Sequence, residues 1–187
     1  DLIVLSPGVP MRSPFVQKAL QNGAEVIGEI ELGYRFAKAP ILAITGTNGK
    51  TTTTTLAGEI CKAAGKRTYV LGNIGVPIVQ EARSTTPDDV IVAEIAGFQL
   101  ESSRDFHAHS CAVLNVTEDH LDRFLTMENY AATKAMVLRN QTEEDFAVLN
   151  YDDPTVRDMK RLTRARVVYF SQKEELPEGM FLRENRM

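Results

Sequence analysis

The segment PILAITGTNGKTTTTT, residues 40–55, joins a strand-like apolar run to a glycine-rich turn, a lysine and five threonines. Backbone N–H groups in such a turn and at the start of the following helix point at one spot, where the helix dipole favours negative charge. Gly46 and Gly49 let a phosphate come close, because neither has a Cβ. Lys50 has the reach to contact the β and γ phosphates, and the Thr51 hydroxyl suits Mg²⁺. The spacing G-x-x-G-K-T therefore predicts a phosphate loop, tighter than the general pattern; the alternative is an ordinary turn with a capping threonine.

Two other strand-like runs end in candidate metal ligands. Glu94 follows the apolar run DVIVA, at the end of a strand where doubly wound sheets bind ligands. The run CAVLNV leads into an acid-rich turn that contains Glu118, Asp119, His120 and Asp122. Neutral imidazole is a metal ligand, which makes His120 the notable member. The alternatives are a solvated glutamate at position 94 and a helix N-terminus that is simply rich in acids.

Lys134 occupies an unusual place in the predicted helix MENYAATKAMVLRN. It lies four residues after Tyr130, three before Val137 and four before Leu138, on the apolar stripe. A long stem that carries its charge out to water is one interpretation. The other is that burial lowers the pKa of Lys134 and leaves a neutral amine able to react.

Short apolar runs alternate with helical patterns, which predicts a doubly wound α/β fold with a mostly parallel sheet. The predicted strands are LIVLS, AEVIG, PILAIT, RTYVLG, DVIVAEI, CAVLNVT, DFAVLN and RVVYFS. The predicted longer helices are SPFVQKALQNG, KTTTTTLAGEICKAAG, MENYAATKAMVLRNQ and DPTVRDMKRLTR. Gly23 and Gly65 follow two of these helices as predicted left-handed caps.

A domain boundary is predicted close to residue 38, where a fresh sheet with its own phosphate loop begins. Residues 1–38 are interpreted as the tail of one Rossmann-like domain and residues 39–187 as an incomplete second domain. The chain starts without methionine, directly on a strand pattern, and ends without an evident closing element. We therefore expect a piece of a longer protein that is inactive when made alone.

Composition excludes several classes of function. The 187 residues are 43% hydrophobic and 25% charged, with a formal net charge of −4, which fits a globular protein with no bulk attraction to nucleic acid or anionic membrane. No apolar run approaches the roughly 18 residues of a membrane span, and no secretion signal is evident. Two cysteines far apart in sequence predict reduced thiols and a cytoplasmic protein.

Five motifs in this order and spacing, GTNGKT, LGNIG, AEIAGFQLE, NVTEDHLDRF and YAATKA, resemble those of the Mur ligases of peptidoglycan synthesis. The resemblance covers practically the whole chain and is strongest to the branch of the family that adds D-glutamate to UDP-N-acetylmuramoyl-L-alanine. It implies a cytoplasmic monomer that uses ATP to form an amide through an acyl phosphate. SPGVP and GEIEL resemble the end of the uridine-nucleotide domain of that family, which would assign residues 1–38.

The resemblance also implies roles for individual residues. The ATP-binding loop would consist of Gly46, Thr47, Asn48, Gly49, Lys50, Thr51 and Thr52. Thr51 and Glu94 would hold a first Mg²⁺, and His120 would hold a second. Lys134 would carry a carbamate derived from CO₂, which would help to place the metals.

Three further residues are implied to contact the substrate. Gly8 and Asn73 would touch the uridine diphosphate, and Gln99 would touch the sugar. Ala96 and Gly97 stand where the family usually has two serines, so any hydroxyl contact to the substrate there is missing. The alternatives left open are another Mur ligase or a folylpolyglutamate synthase with the same ATP chemistry, and a nucleotide-binding module without catalysis.

Overall fold

The computed structural model of the chain describes residues 1–119 and 121–183, apart from the side chains of Leu121 and Asp122. The strands in this part are β1 (Leu2–Leu5), β2 (Glu25–Gly28), β3 (Ile41–Thr45), β4 (Thr68–Gly72), β5 (Val90–Glu94), β6 (Ser110–Val113), β7 (Phe146–Asn150), β8 (Arg166–Ser171) and β9 (Met180–Phe181). The α-helices are α1 (Pro14–Gln21), α2 (Glu29–Phe36), α3 (Lys50–Ala63), α4 (Ile78–Glu81), α5 (Gly97–Leu100), α6 (Leu121–Phe124), α7 (Met127–Ala135) and α8 (Pro154–Asp158). Helices α7 and α8 each continue into a short 3₁₀ segment.

Two parallel sheets organise these elements. β1 and β2 pair with each other, and the other seven strands form one sheet in the order β4-β5-β3-β6-β7-β8-β9. Every pair in the larger sheet is parallel. The inner strands are apolar nearly throughout because helices cover both faces of such a sheet. The predicted α/β fold with a mostly parallel sheet is confirmed.

The eight predicted strands are all present, and their ends differ from the predicted ones by at most four residues. The prediction missed β9 and the short helices α4, α5 and α6, which are too short for a helical period to show in sequence. The predicted left-handed caps are confirmed, since Gly23 and Gly65 both have φ of 79°. The predicted helices MENYAATKAMVLRNQ and DPTVRDMKRLTR are longer than the α-helices observed there, α7 and α8, because the last turn of each is 3₁₀.

The core lies between the larger sheet and its helices. The central side chains on the strands are aliphatic, and the fully buried ones include Ala43, Ile91, Ala93, Val113, Ala147 and Leu149. Helix α7 begins where the Thr126 side chain accepts the N–H of Asn129, and α8 begins where Asp153 accepts the N–H groups of Thr155 and Val156. Within the described part of the chain, no helix combines the length and apolarity needed to cross a bilayer.

Glu31 ties α2 to the rest of the molecule. Its side chain is fully buried, and Oε2 accepts the backbone N–H groups of residues 104–106 at 2.9 to 3.0 Å. Oε1 accepts Nε–H of Arg35 at 3.1 Å. A carboxylate that receives four donors is well compensated for its loss of water. Glu29 makes a second link by accepting the N–H of Val79 at 2.7 Å.

We expect Glu31→Gln to lower the free energy of unfolding by about 2 kcal/mol, because a neutral amide makes weaker bonds and its NH₂ group faces other donors. Urea unfolding of the chain measures the change. Glu59→Gln is the matched control: Glu59 forms an exposed pair with Lys62, and its loss should cost less than about 0.5 kcal/mol. Equal effects of the two substitutions would contradict the role given to Glu31.

Candidate active site

The order of the strands brings three loops to one place. β3 lies between β5 and β6, and the chain crosses from one side of β3 to the other after β5. Ligands of doubly wound sheets bind at the carboxyl ends of the strands at such a switch point. The segments that leave β3, β5 and β6 here are the glycine-rich turn, Glu94 with the following turn, and the stretch from Asn115 onward.

The glycine-rich turn has the backbone of an anion site. Gly46 has φ of 151°, and a Cβ there would lie 3.0 Å from Cβ of Leu114. Gly49 has φ of 82° and directly precedes α3. Among the described side chains none caps this helix, so the N–H groups of its first turn remain available to a ligand. The predicted phosphate loop therefore has the required geometry.

Asn115 fixes the shape of the loop. Its Oδ1 accepts the N–H groups of Thr47 and Asn48 at 3.0 and 2.8 Å, and its Nδ2 donates to the carbonyl of Asn48 at 3.0 Å. The carbonyl of Asn115 also accepts the N–H of Thr47. Thr117 adds a further bond, from its N–H to the hydroxyl of Thr47 at 3.1 Å. The loop is thus held from the side by the segment that leaves β6.

Two lysines project toward the loop. Nζ of Lys50 donates to the carbonyl of Thr47, and Nζ of Lys134 donates to the carbonyl of Gly46, both at 2.8 Å. Lys134 is 2% exposed and lies over the ring of Tyr130, 4.2 Å from its centroid. The prediction that the Lys134 side chain faces inward is confirmed. The alternative, a side chain that carries its charge out to water, is wrong.

Burial, aided by the charge of Lys50 and partly opposed by that of Asp119, lowers the pKa of Lys134 to about 8. A low dielectric disfavours the ammonium form, so a neutral amine becomes accessible close to neutral pH. Burial also raises the pKa of Tyr130, which keeps its hydroxyl protonated beside Thr47.

Glu94 gathers a second set of groups beside the loop. It is 2% exposed; Oε2 accepts the hydroxyl of Thr51 at 2.8 Å and Oε1 accepts Nδ2 of Asn73 at 2.8 Å. A carboxylate and a hydroxyl in contact at a phosphate loop are the hard oxygen donors that Mg²⁺ prefers. The two predicted ligands of a first metal ion therefore stand together, and they fit the ion chemically.

Comparison with known proteins agrees with this geometry. Residues 44–184 match the family model described as the Mur ligase middle domain. The chain belongs to the Mur ligase family. It is 54% identical over 182 residues to the UDP-N-acetylmuramoylalanine--D-glutamate ligase of Alkaliphilus metalliredigens, covering 97% of this chain and 40% of that relative. The ligase of the same name from Clostridioides difficile is 47% identical, over 99% of this chain and 41% of the relative.

The chain thus spans about 40% of the length of the curated relatives it matches. Solved Mur ligase structures share the fold. A UDP-N-acetylmuramoyl-L-alanyl-D-glutamate--2,6-diaminopimelate ligase aligns with a TM-score of 0.66 at 19% identity, covering 97% of this chain and 47% of that one. A MurF ligase from Thermotoga maritima in complex with ADP aligns with a TM-score of 0.62 at 20% identity, covering 91% and 48%.

The other predicted site residues of this Mur ligase lie around the same edge or outside it. His120 lies outside the described residues. Gln99 is 4% exposed, and its Oε1 accepts the N–H of Ala96 at 2.8 Å. Gly8 lies in the exposed turn between β1 and α1. Among the hydrogen bonds of the described residues, none joins Gly8 to the phosphate loop.

Sequence reasoning missed the residues that hold the Mur ligase loop in shape. In the sequence, Asn115 and Thr117 are only members of the motif NVTEDHLDRF, and Tyr130 only marks the apolar stripe of the predicted helix. The signal for Asn115 is its position two residues after β6, which pairs with β3, because side chains that follow adjacent carboxyl ends meet. No sequence signal indicates the contact between the hydroxyls of Thr47 and Tyr130, which lie 3.4 Å apart.

We expect the stability of the Mur ligase chain to depend on pH through Lys134. In the unfolded chain the lysine keeps its proton up to about pH 10.5, whereas in the folded chain it loses the proton at about 8. Between these values the unfolded state binds more protons, so the free energy of unfolding rises with pH, by roughly 3 kcal/mol in total.

Urea unfolding below and above this window measures the rise, and Lys134→Met should abolish most of it. Lys62→Met is the control, because Lys62 is exposed on α3 and its removal should leave the rise in place. If Lys134→Met keeps the pH dependence of the unsubstituted chain, the burial of the ammonium group is not its cause.

Proposed function

We propose that the full-length protein is an ATP-dependent ligase that adds D-glutamate to UDP-N-acetylmuramoyl-L-alanine in peptidoglycan precursor synthesis. The observation that carries the chemistry is the meeting of Lys50, Lys134 and Glu94 at one phosphate loop. The choice of amino acid is supported by the names of relatives that are 47% and 54% identical over nearly the whole chain.

The reaction has an electrostatic problem that these residues address. ATP and the carboxylate of the substrate are both anions, and the γ-phosphoryl group must pass between them to give an acyl phosphate, which the amine of D-glutamate then attacks. Lys50 binds the β and γ phosphates. In the structure its Nζ donates to the carbonyl of Thr47 in the loop. The first-turn N–H groups of α3 add partial positive charge where negative charge develops.

Magnesium fits beside this loop. Thr51 and Glu94 would hold a first ion and His120 a second; the ions, when bound, neutralise phosphate charge and orient the phosphoryl group. Asn73 donates to Glu94 and so orients the carboxylate toward Thr51. Thr47, Asn48 and Thr52 complete the ATP-binding loop together with Gly46 and Gly49.

Lys134 is proposed to carry a carbamate. The ammonium group first loses one proton to solvent. The neutral amine then attacks CO₂, the N–C bond forms as one C=O π bond breaks, and a second proton leaves to solvent, so that overall a cation becomes an anion. The lowered pKa supports this step, because only the unprotonated amine reacts. The anion would then offset the charge of Lys50 and help to position the metal ions.

The substrate is proposed to lie along the same edge. Residues 1–38 are assigned to the uridine-nucleotide domain and residues 39–187 to the ATP-binding domain, with Gly8 and Asn73 at the uridine diphosphate and Gln99 at the sugar. The nucleotide substrates support a cytoplasmic protein, and we infer a monomer. The four-residue link between α2 and β3 supports the boundary.

The decisive assay gives full-length protein ATP, Mg²⁺ and UDP-N-acetylmuramoyl-L-alanine with a panel of amino acids, and measures phosphate release. We expect release only with D-glutamate. Release with another amino acid, or with a folate in place of the sugar nucleotide, would assign a different ligase; no release with any partner would indicate a binding module.

In the same assay Lys50→Ala should lower kcat roughly 100-fold or more, because the transferred phosphoryl group loses its cation. Lys62→Ala, on the same helix but exposed, is the matched control and should keep the normal rate. Comparable rates for Lys50→Ala and the control would remove Lys50 from the mechanism.

The carbamate has a separate test. Lys134→Ala should be nearly inactive and should regain part of its activity when short-chain carboxylic acids are added, because a free carboxylate fills the space of the carbamate. Lys50→Ala should show no such rescue. Absence of rescue for Lys134→Ala, together with no carbamate signal from ¹³C-bicarbonate in the NMR spectrum of the unsubstituted protein, would reject the modification.

A further inference from the structure

A second cluster of metal-ligating side chains lies at the opposite edge of the larger sheet. His107 and His109 stand two residues apart in the segment that leads into β6, and Asp145 immediately precedes β7. Because β6 and β7 are parallel neighbours, both segments lie at the amino-terminal edge. One ligand atom from each of the three residues lies within 4.8 Å of the other two.

The two histidines face the same way. Ala108 between them is fully buried, whereas His107 is half-buried and His109 is exposed. Their ring centroids are 4.9 Å apart, and Nε2 of His107 lies 2.8 Å from Oδ2 of Asp145. The polypeptide therefore presents two imidazoles and a carboxylate to one point.

Asp145 is a fixed anion. It is 2% exposed, and its Oδ2 accepts both the N–H and the hydroxyl of Thr142, at 2.6 and 2.9 Å. Burial alone would raise the pKa of Asp145, but the hydrogen bonds from Thr142 and His107 outweigh it and hold the pKa below its usual value. A ligand already ordered and charged loses little freedom when it binds a cation.

The surroundings favour a cation with open coordination. Glu143 and Glu144 are exposed next to Asp145 and add negative potential. On the other side a cavity of about 310 Å³ is bordered by both histidines and by Arg35 and Lys38. The charge of Arg35 is engaged by Glu25 and Glu31, which leaves the exposed Lys38 as the opposing cation.

We propose that His107, His109 and Asp145 bind one divalent transition-metal ion of the zinc type, with water from the cavity as the fourth ligand. Imidazole nitrogen and carboxylate oxygen are the ligands of such ions, whereas Mg²⁺ and Ca²⁺ take oxygen alone. Ligand atoms around tetrahedral zinc lie roughly 3.4 Å apart. The exposed ring of His109 therefore moves inward, and Nε2 of His107 and Oδ2 of Asp145, which are 2.8 Å apart, separate slightly to admit the ion. The proton of His107 moves from Nε2 to Nδ1, and the metal takes its place beside Asp145.

The site would clamp the two segments that lead into β6 and β7. It lies across the sheet from the phosphate loop, so its expected effect is on stability and not on catalysis. A ligand that binds only the folded state stabilises it in proportion to the logarithm of its concentration over Kd. Zn²⁺ should therefore raise the melting temperature of the protein.

The test uses metal-free full-length protein, with Mg²⁺ and ADP in excess to occupy the phosphate-loop site. Zn²⁺ binding is measured by competition with a chromophoric chelator, and Co²⁺ provides a visible spectrum that reports four-coordinate geometry. We expect the unsubstituted protein to bind one more Zn²⁺ than His109→Asn or His107→Gln. Both variants should lack the Co²⁺ band and the thermal shift. His109 is exposed, so His109→Asn should fold, which circular dichroism checks.

Glu144→Gln is the matched control, because it removes a neighbouring negative charge and no ligand. It should weaken Zn²⁺ binding by less than about threefold, against at least tenfold for the two histidine variants. Equal Zn²⁺ binding in all four proteins, or equal weakening by Glu144→Gln and His109→Asn, would overturn the site and leave only the general affinity of surface imidazoles and carboxylates.

Discussion

The hydrogen bond from the buried ammonium of Lys134 to the carbonyl of Gly46 is the interaction around which the candidate active site is arranged. It joins α7 to the phosphate loop across 88 residues of sequence. A charge in that position is tolerable only because the carbonyl, the ring of Tyr130 and the acid Asp119 compensate for lost water. The position of α7 and the shape of the loop therefore depend on each other.

The same loop is restrained from its other flank. The side chain of Asn115 accepts the backbone N–H groups of Thr47 and Asn48 and donates to the carbonyl of Asn48. Glu94 accepts the hydroxyl of Thr51. The restraints come from segments after β5 and β6, the two neighbours of β3. A site assembled in this way is organised before any ligand arrives, which reduces the ordering cost of binding.

Local sequence predicted the elements well and the contacts among them unevenly. The strands were readable because each is a short β-branched run, and the inward position of Lys134 followed from helical spacing alone. The bond between Thr51 and Glu94 needed the strand order, which single-sequence reasoning does not supply. The structure explains one member of the threonine run, since the Thr51 hydroxyl donates to Glu94. Thr54 is fully buried, and its hydroxyl has no hydrogen-bond partner among the described residues. The two-residue spacing of His107 and His109 is visible in the sequence. Their proximity to Asp145 is not, because it depends on the pairing of β6 with β7.

The central position of β3 has a consequence for how the protein opens. β3 is bonded to β5 on one side and β6 on the other, and neither of its edges meets solvent. Local fluctuations that fray the outer strands β4 and β9 leave its backbone amides protected, so their exchange with deuterium requires β3 to separate from β5 or β6. The turn that binds phosphate is thus anchored directly to a strand that is protected on both sides.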